Sequence, residues 1–280
     1  MKRILTIQDI SCFGKCSLTV ALPLLSAMGI ETVILPTAVL STHTLFKGFT
    51  CRDLSDLLLP ITDHWKQEGI TFDAIYTGYL GTEEEIDTAI GIIESFRRED
   101  TLVFVDPAMG DNGKLYPAFN EHYARKNADL CAVADIADPN ITEAAFLTGI
   151  PYREIYPEEY IRELLLTLAD LGTKTPILTG VSLNEGKTGA MGYDTGKKEF
   201  FHYQNDRVPV SYHGTGDIFS SVLAGAFVLG IDRTEALKTA ADYTALTIAE
   251  TLKNPGNPWY GVDFEETIPF LIHSLNEIRK

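Results

Sequence analysis

Short apolar segments that resemble β-strands alternate with helix-like segments along the whole chain, and this alternation narrows the possible folds most strongly. Short, continuously apolar strands are typical of a parallel sheet that is buried on both faces. Thr188–Tyr193 and Lys198–Tyr203 flank the turn-forming Asp194-Thr195-Gly196 and predict an antiparallel hairpin at a sheet edge. We therefore predict an α/β fold with three αβα layers and a central, mostly parallel sheet.

The individual elements follow from apolar periodicity and from helix start and stop signals. Besides the hairpin, the predicted strands are Ile4–Ile7, Val33–Leu40, Phe72–Tyr76, Leu102–Val105, Leu130–Val133 and Pro176–Thr179. The predicted helices are Cys16–Met28, Leu54–Gln67, Glu83–Arg98, Thr142–Leu147, Glu158–Leu171, Ile218–Leu229, Thr234–Leu252 and Phe264–Ile278. The sequence shows no long linker, repeat or low-complexity tract, so we expect residues 1–280 to form one domain.

Composition excludes several classes of protein. The chain has 280 residues, of which 45% are hydrophobic, with a net charge of −16 and a pI near 4.7. Binding to nucleic acid needs clustered Lys and Arg, so this charge argues against it. The first apolar run is too short for a signal peptide or a membrane span, and we expect a cytoplasmic protein with free thiols at its four cysteines.

Polar clusters occur where the predicted strands end, which is where ligands bind in open α/β sheets. Asp9 and Ser11 follow the first strand and suit either a hydrogen bond to a substrate or the entry to a helix. His43 and Thr44 follow the second strand, although a lone histidine in a polar loop is more often a surface residue. Tyr79 lies between two glycines at a third strand end, where it suits the wall of a pocket for a ring.

Two acidic clusters suit a hydrated Mg²⁺ that also contacts phosphate oxygens. Asp106 and Asp111 leave a buried-type strand in a tight loop, and ordinary turn chemistry explains them slightly better when they are considered alone. Asn140 and Glu143 stand three residues apart at a helix start, which also predicts a capping box.

The run Gly214-Thr215-Gly216-Asp217 is the strongest functional signal. Backbone N–H groups at a helix start, approached closely because of the glycines, form an anion site. Asp217 places a carboxylate beside it, which a hydroxyl needs when it attacks a phosphate. A helix cap by Thr215 or Asp217 is the simpler alternative, but a cap needs fewer of these residues.

Together the clusters resemble the ribokinase-like superfamily, and within it the pyridoxal/pyridoxamine kinases, near the hydroxymethylpyrimidine kinases. The resemblance covers nearly the whole chain, and the order of its motifs is specific. The motifs are Ile7-Gln8 with Phe13-Gly14, Ser41–Thr44, Thr77–Gly81, Asp106–Gly110, and Asn140–Glu143 followed by Gly214–Asp217.

The resemblance implies an ATP-dependent kinase that phosphorylates the 5′-hydroxymethyl group of a vitamin B6 vitamer. Asp217 matches the family's general base, and the N–H groups of residues 214–216 match its anion hole. Asp106 and Glu143 match positions that organise Mg²⁺, with a monovalent cation as an optional further ion. The nucleotide-side matches are Asp106, Asp111, Tyr116, Asn140, Glu143, Thr179 and Val208. The ring-side matches are Asp9, Ser11, His43, Thr44 and Tyr79.

Two departures from the family pattern keep alternatives open. Asp9 stands where many pyridoxal kinases have Ser, and an acid there is common among hydroxymethylpyrimidine kinases, so that pyrimidine is the second candidate substrate. Asp138 stands where relatives often have a small or hydroxyl residue.

A non-catalytic vitamer-binding protein is a third hypothesis, which Asp217 disfavours. Sugar kinases of this superfamily often carry a lid of extra strands inserted early in the chain, and no hairpin is evident between Gly29 and Asp53, which argues against a sugar kinase. The resemblance also implies a homodimer.

Overall fold

The computed structural model describes residues 1–256 and 258–279. Its strands are β1 Arg3–Ser11, β2 Glu31–Leu40, β3 Cys51–Asp53, β4 Ala74–Thr77, β5 Leu102–Val105, β6 Gly110–Asp111, β7 Lys114–Leu115, β8 Ile136–Ala137, β9 Thr175–Val181, β10 Lys187–Asp194 and β11 Glu199–Asp206. Its helices are α1 Leu18–Ala27, α2 Ser55–Gln67, α3 Glu83–Phe96, α4 Glu121–Ala132, α5 Ile141–Thr148, α6 Glu158–Asp170, α7 Thr215–Val228, α8 Arg233–Lys253 and α9 Phe264–Ile278.

A nine-stranded sheet runs through the described residues in the order β11-β10-β9-β8-β5-β4-β1-β2-β3. The six strands from β9 to β2 in this order pair in parallel. The predicted hairpin is confirmed, since β10 pairs antiparallel with both β9 and β11 at one edge. At the other edge β3 pairs antiparallel with β2, so the expectation of no hairpin between Gly29 and Asp53 was wrong.

Alternate residues of each buried strand face opposite helical layers, because side chains on a strand alternate between its two faces. Leu5 and Ile7 face a core shared with α2 to α6, whereas Ile4 faces a core shared with α1, α7, α8 and α9. Val103 and Phe104 divide in the same way. The three-layer αβα prediction is confirmed.

One predicted element was wrong and another was too short, each for an identifiable reason. Leu130–Val133 is not a strand, because Leu130 and Cys131 lie on the buried face of α4, one turn beyond Asn127. A short apolar run at the end of an amphipathic helix has the same composition as a short buried strand. The first strand continues past Ile7 to Ser11, because its polar residues Asp9 and Ser11 are themselves buried in the sheet.

Within the described ranges, no helix has the length and apolar character needed to cross a bilayer. All four cysteines are free thiols; Cys16 and Cys131 are buried, and Cys12 and Cys51 are exposed.

Candidate active site

Helix α7 begins at an anion-binding turn. Gly214 is its N-cap residue and has a left-handed backbone, with φ of 83°. A Cβ at this position would lie 1.8 Å from the backbone oxygen of Lys15, so the close packing requires glycine. No side chain caps the helix, and the hydroxyl of Thr215 instead donates to the Tyr212 carbonyl. Because neither Thr215 nor Asp217 caps, the first N–H groups of α7 remain available to an anion.

Asp217 is half-buried beside this turn. Its pKa is raised from 3.8 to about 8, chiefly because the group is removed from water and secondly because the negative charge of Asp106 is near. The backbone N–H of Ser17 donates to the Asp217 carboxylate and lowers the pKa in part. A carboxylate with a raised pKa is a stronger base, which suits proton abstraction near neutral pH.

Three further carboxyl groups are buried on the same side of the site. Asp106, Asp138 and Glu143 all have pKa values raised by burial, and the charges of Asp106 and Glu143 raise the pKa values of their neighbours further. The Ser220 hydroxyl donates to Asp138 Oδ2 at 2.6 Å, while Asp138 Oδ1 is buried without a hydrogen-bond partner among the described residues. Ser220 lies on α7 one turn beyond Asp217, so the same helix carries the Asp217 carboxylate and also binds Asp138.

The predicted capping box at the start of α5 is confirmed. The Asn140 side chain accepts from the Glu143 N–H at 3.0 Å, and the Asn140 N–H donates to Glu143 Oε2 at 2.8 Å. The other carboxylate oxygen of Glu143 accepts from the N–H groups of Met109 and Gly110. Glu143 therefore caps a helix and also fixes the loop after β5, which places it beside Asp106.

The acidic group fits a divalent cation that keeps part of its hydration. Among the described residues, no set of three or more His, Cys, Asp or Glu side chains is placed to hold a metal alone. Mg²⁺ commonly binds one or two carboxylates and takes its other ligands from water and phosphate. A cation at this place would offset both the unpartnered Oδ1 of Asp138 and the repulsion of Asp106 by Glu143.

The opposite end of the site carries one more buried carboxylate, Asp9. The Ser11 hydroxyl donates to Asp9 Oδ2 at 3.1 Å, and burial raises the pKa of Asp9. Tyr79 is half-buried nearby: burial, followed by the charge of Asp9, raises its pKa to about 12. Burial, then the charge of Asp106 and to a smaller extent that of Asp9, raise the pKa of Asp217, so the charges at the two ends of the site influence each other.

Two histidine rings pack together next to the anion-binding turn. The centroids of the His43 and His213 rings lie 4.3 Å apart, and His213 immediately precedes Gly214. Burial lowers the pKa of both rings, to about 4 for His213. His43 is not the surface residue that a lone histidine in a loop suggests, because only 1% of it is exposed.

The remaining predicted site residues differ in how closely they join this group. Burial, followed by the charges of Glu143 and Asp106, raises the pKa of Tyr116. Burial also raises the pKa of Glu143, and the charge of Asp111 adds a small further increase, so both predicted residues are electrostatically coupled to the acidic group. Thr179 pairs with Asn140 through an isolated parallel bridge. Thr44 is exposed in the loop after β2, and Val208 is half-buried in the loop after β11.

Residues 57–258 match the sequence model of the phosphomethylpyrimidine kinase family. Among solved structures, pyridoxal kinase from Lactobacillus plantarum is 31% identical, with a TM-score of 0.90 over 99% of this chain and 98% of that chain. The chain belongs to the pyridoxal kinase family. This family is part of the ribokinase-like superfamily, and the fold prediction is confirmed at that level.

Other members of the pyridoxal kinase family and its neighbours give the same result. A protein from Bacteroides thetaiotaomicron, provisionally assigned as a phosphomethylpyrimidine kinase and crystallised with pyridoxal, is 35% identical, with a TM-score of 0.91 over 98% of this chain and 96% of its own. The pyridoxal kinase of Arabidopsis thaliana is 29% identical over 80% of this chain and 73% of its own.

Sequence reasoning missed several residues of this candidate site. Ser220 is hidden inside an apolar helix, and its role depends on Asp138, a partner 82 positions away. The contact between His213 and His43 is visible only in three dimensions. Trp259 and Tyr260 were missed as well, although the Trp259 ring lies 6.1 Å from that of His43 and the Tyr260 carbonyl lies 3.0 Å from His43 Nε2. Two adjacent aromatic residues in a loop were a signal in the sequence, because binding residues often lie on loops.

Proposed function

We propose that this member of the pyridoxal kinase family transfers the γ-phosphoryl group of ATP to the 5′-hydroxymethyl group of a vitamin B6 vitamer. The observation that carries the proposal is the Asp217 carboxylate beside the uncapped N–H groups of α7. A vitamer-binding protein without activity has no use for a base at an anion site. Relatives that bear the name pyridoxal kinase support the vitamer as substrate class.

In this reaction the hydroxymethyl oxygen attacks the γ-phosphorus of ATP while the bond from that phosphorus to the bridging oxygen of ADP breaks. Asp217 takes the hydroxyl proton, and the N–H groups of residues 214–216 stabilise the charge on the transferring phosphoryl group. The raised pKa of Asp217 suits it to accept a proton and later release it to water.

Asp106 and Glu143 would hold Mg²⁺, which neutralises phosphate charge during phosphoryl transfer, with Asn140, Asp111 and Tyr116 beside them. Thr179 and Val208 would lie along the nucleotide, and a monovalent cation is an optional further ion. ADP-bound pyridoxal kinase from Leishmania donovani shares the fold, with a TM-score of 0.88 at 20% identity.

Asp9, Ser11, His43, Thr44 and Tyr79 would bind the acceptor ring. Asp9 favours a second candidate, hydroxymethylpyrimidine, because a buried carboxylate accepts a hydrogen bond from an amino group or a protonated ring nitrogen. The name of the matching family model favours this candidate too.

A substrate panel tests the proposal. The purified protein with ATP and Mg²⁺ should phosphorylate pyridoxal, pyridoxine or pyridoxamine with a higher kcat/KM than hydroxymethylpyrimidine, its phosphate or a sugar. ADP release and product mass measure the reaction. A pyrimidine that outranks all three vitamers would overturn the vitamer assignment, and no turnover of any acceptor would overturn the kinase assignment.

We further propose that residues 1–280 act as one domain, in a cytoplasmic homodimer. The outer edge of β3 and the exposed Leu57 and Leu59 of α2 support a second copy as partner, because they lie on neighbouring elements at one end of the sheet.

A further inference from the structure

Three loops far apart in sequence meet beside the anion-binding turn. The N–H of His43, in the loop after β2, donates to the carbonyl of Phe13, in the loop after β1, at 3.2 Å. His43 Nε2 lies 3.0 Å from the carbonyl oxygen of Tyr260, which belongs to the segment between α8 and α9. We call residues 258–263 of that segment the C-terminal wall. The wall thus contacts a predicted ring-binding residue directly.

Lys15 contacts both the C-terminal wall and the anion-binding turn. Its Nζ lies 2.9 Å from Asp263 Oδ1 and 2.8 Å from Glu265 Oε2. A Cβ at Gly261 would lie 2.6 Å from Lys15 Cβ, so the wall packs against the lysine stem. The backbone oxygen of the same lysine packs against Gly214. One residue therefore fixes the distance between the wall and the start of α7.

Trp259 is the large side chain of the wall that is left most open. Its ring centroid lies 4.5 Å from that of Phe46 and 6.1 Å from that of His43, yet 59% of the residue is exposed. Phe46 covers one part of the indole, and the rest of the indole is exposed to water. An exposed indole beside a predicted ring site is the arrangement that aromatic ligands use for stacking.

We propose that Trp259 contacts the substrate, with its indole against the heteroaromatic ring of the acceptor, and that Lys15 positions the wall that carries it. This inference rests on the proposed function, because it assigns a further specificity-determining residue to the acceptor end of that site. The acceptor class it selects is a planar aromatic ring that bears a hydroxymethyl group. A sugar has no such ring and gains nothing from the indole.

Tryptophan fluorescence tests the contact without turnover. The chain has two tryptophans, and the other, Trp65, lies on α2 and packs against Phe72. In the Trp65→Phe variant, titration with pyridoxamine or pyridoxine should quench the emission of Trp259, and a sugar should not. Unchanged emission at vitamer concentrations where calorimetry detects binding would overturn the contact.

Kinetics of Trp259→Ala provide a second readout. The KM for the vitamer should rise about 2- to 12-fold, the range of a typical aromatic pair, while the KM for ATP stays within twofold. Trp259→Phe should restore most of the affinity. The matched control is Phe270→Ala, which removes an aromatic side chain of α9 that is 44% exposed, and it should leave the vitamer KM unchanged.

Lys15→Met should raise the vitamer KM in the same direction and weaken the quenching of Trp259 in the Trp65→Phe background. A vitamer KM for Trp259→Ala equal to that of Phe270→Ala would overturn the inference while wild-type turnover upheld the proposed function. If the wild-type protein phosphorylates only hydroxymethylpyrimidine, the vitamer proposal fails, and the same titration with that pyrimidine decides whether Trp259 touches the acceptor.

Discussion

Asp217 is the residue whose surroundings most directly suit it to chemistry. Burial and the neighbouring Asp106 raise its pKa, and the Ser17 N–H orients its carboxylate. Asp217→Asn keeps the shape but loses the base, so we expect kcat to fall about 10²–10⁴-fold. Steady-state assays with the best acceptor measure the loss. Asp100→Asn, which alters a carboxylate that is 72% exposed, serves as the control, and full activity of Asp217→Asn would exclude Asp217 as the base.

The same residue should make the free protein less stable as pH rises. The pKa of Asp217 is raised in the folded state from 3.8 to about 8, so its contribution to the free energy of unfolding is fully present below pH 3.8 and is lost as pH rises through about 8. Asn does not ionise and avoids this loss. The Tm of Asp217→Asn should therefore exceed that of the wild type by more at pH 8.5 than at pH 5.

Thermal melts without nucleotide or Mg²⁺ measure this difference. Asp100→Asn controls for removal of a carboxylate as such. A Tm difference between Asp217→Asn and the wild type that is the same at both pH values would contradict the expectation.

At the scale of elements, the start of α7 depends on one glycine and tolerates change at another. Gly214→Ala places a Cβ against the Lys15 carbonyl at a left-handed residue and should destabilise the protein by about 2–5 kcal/mol. Gly216 is exposed and helical, and a Cβ there would meet no atom within 4 Å, so Gly216→Ala should stabilise by up to about 1 kcal/mol. Urea unfolding measures both; effects of the same sign would contradict this reading of the turn.

Elements with strong periodicity were predictable, and those that depend on tertiary partners were not. Phe264–Ile278 was predicted with both of its boundaries, because its apolar spacing is that of a surface helix. Asp9 and Ser11, at the end of β1, are polar, and only the pairing with the neighbouring β2 and the burial of both side chains explain why they continue the strand. The two-residue strands β6 and β7 are too short to leave a pattern.

The site was predictable in part for a related reason. Strand ends in a parallel sheet converge, so the sequence alone suffices to place Asp9, Tyr79, Asp106 and Asn140 at one edge. The contacts between loops could not be predicted, because the pairing of His43 with His213 or of Ser220 with Asp138 follows from three-dimensional packing.

At the scale of the whole molecule, the proposed homodimer is open to direct measurement. Light scattering on the purified protein should give twice the chain mass of 30.9 kDa. Leu57→Glu combined with Leu59→Glu should shift the mass to that of one chain, because charges at a buried interface are costly. Phe270→Glu on α9 is the control, and a mass of one chain for the wild type would contradict the dimer.

The ion pairs of Lys15 have a consequence for how the chain reaches its active form. They join residues separated by 248 and 250 positions, so the C-terminal wall is synthesised long after the Lys15 against which it packs. Contacts of such high sequence separation form late and slow the search for the native state. A nascent chain that has already paired β1, β2, β4 and β5 still lacks both α7 and the C-terminal wall. Chains that end before the C-terminal wall therefore expose their apolar sheet face while the candidate site is still incomplete.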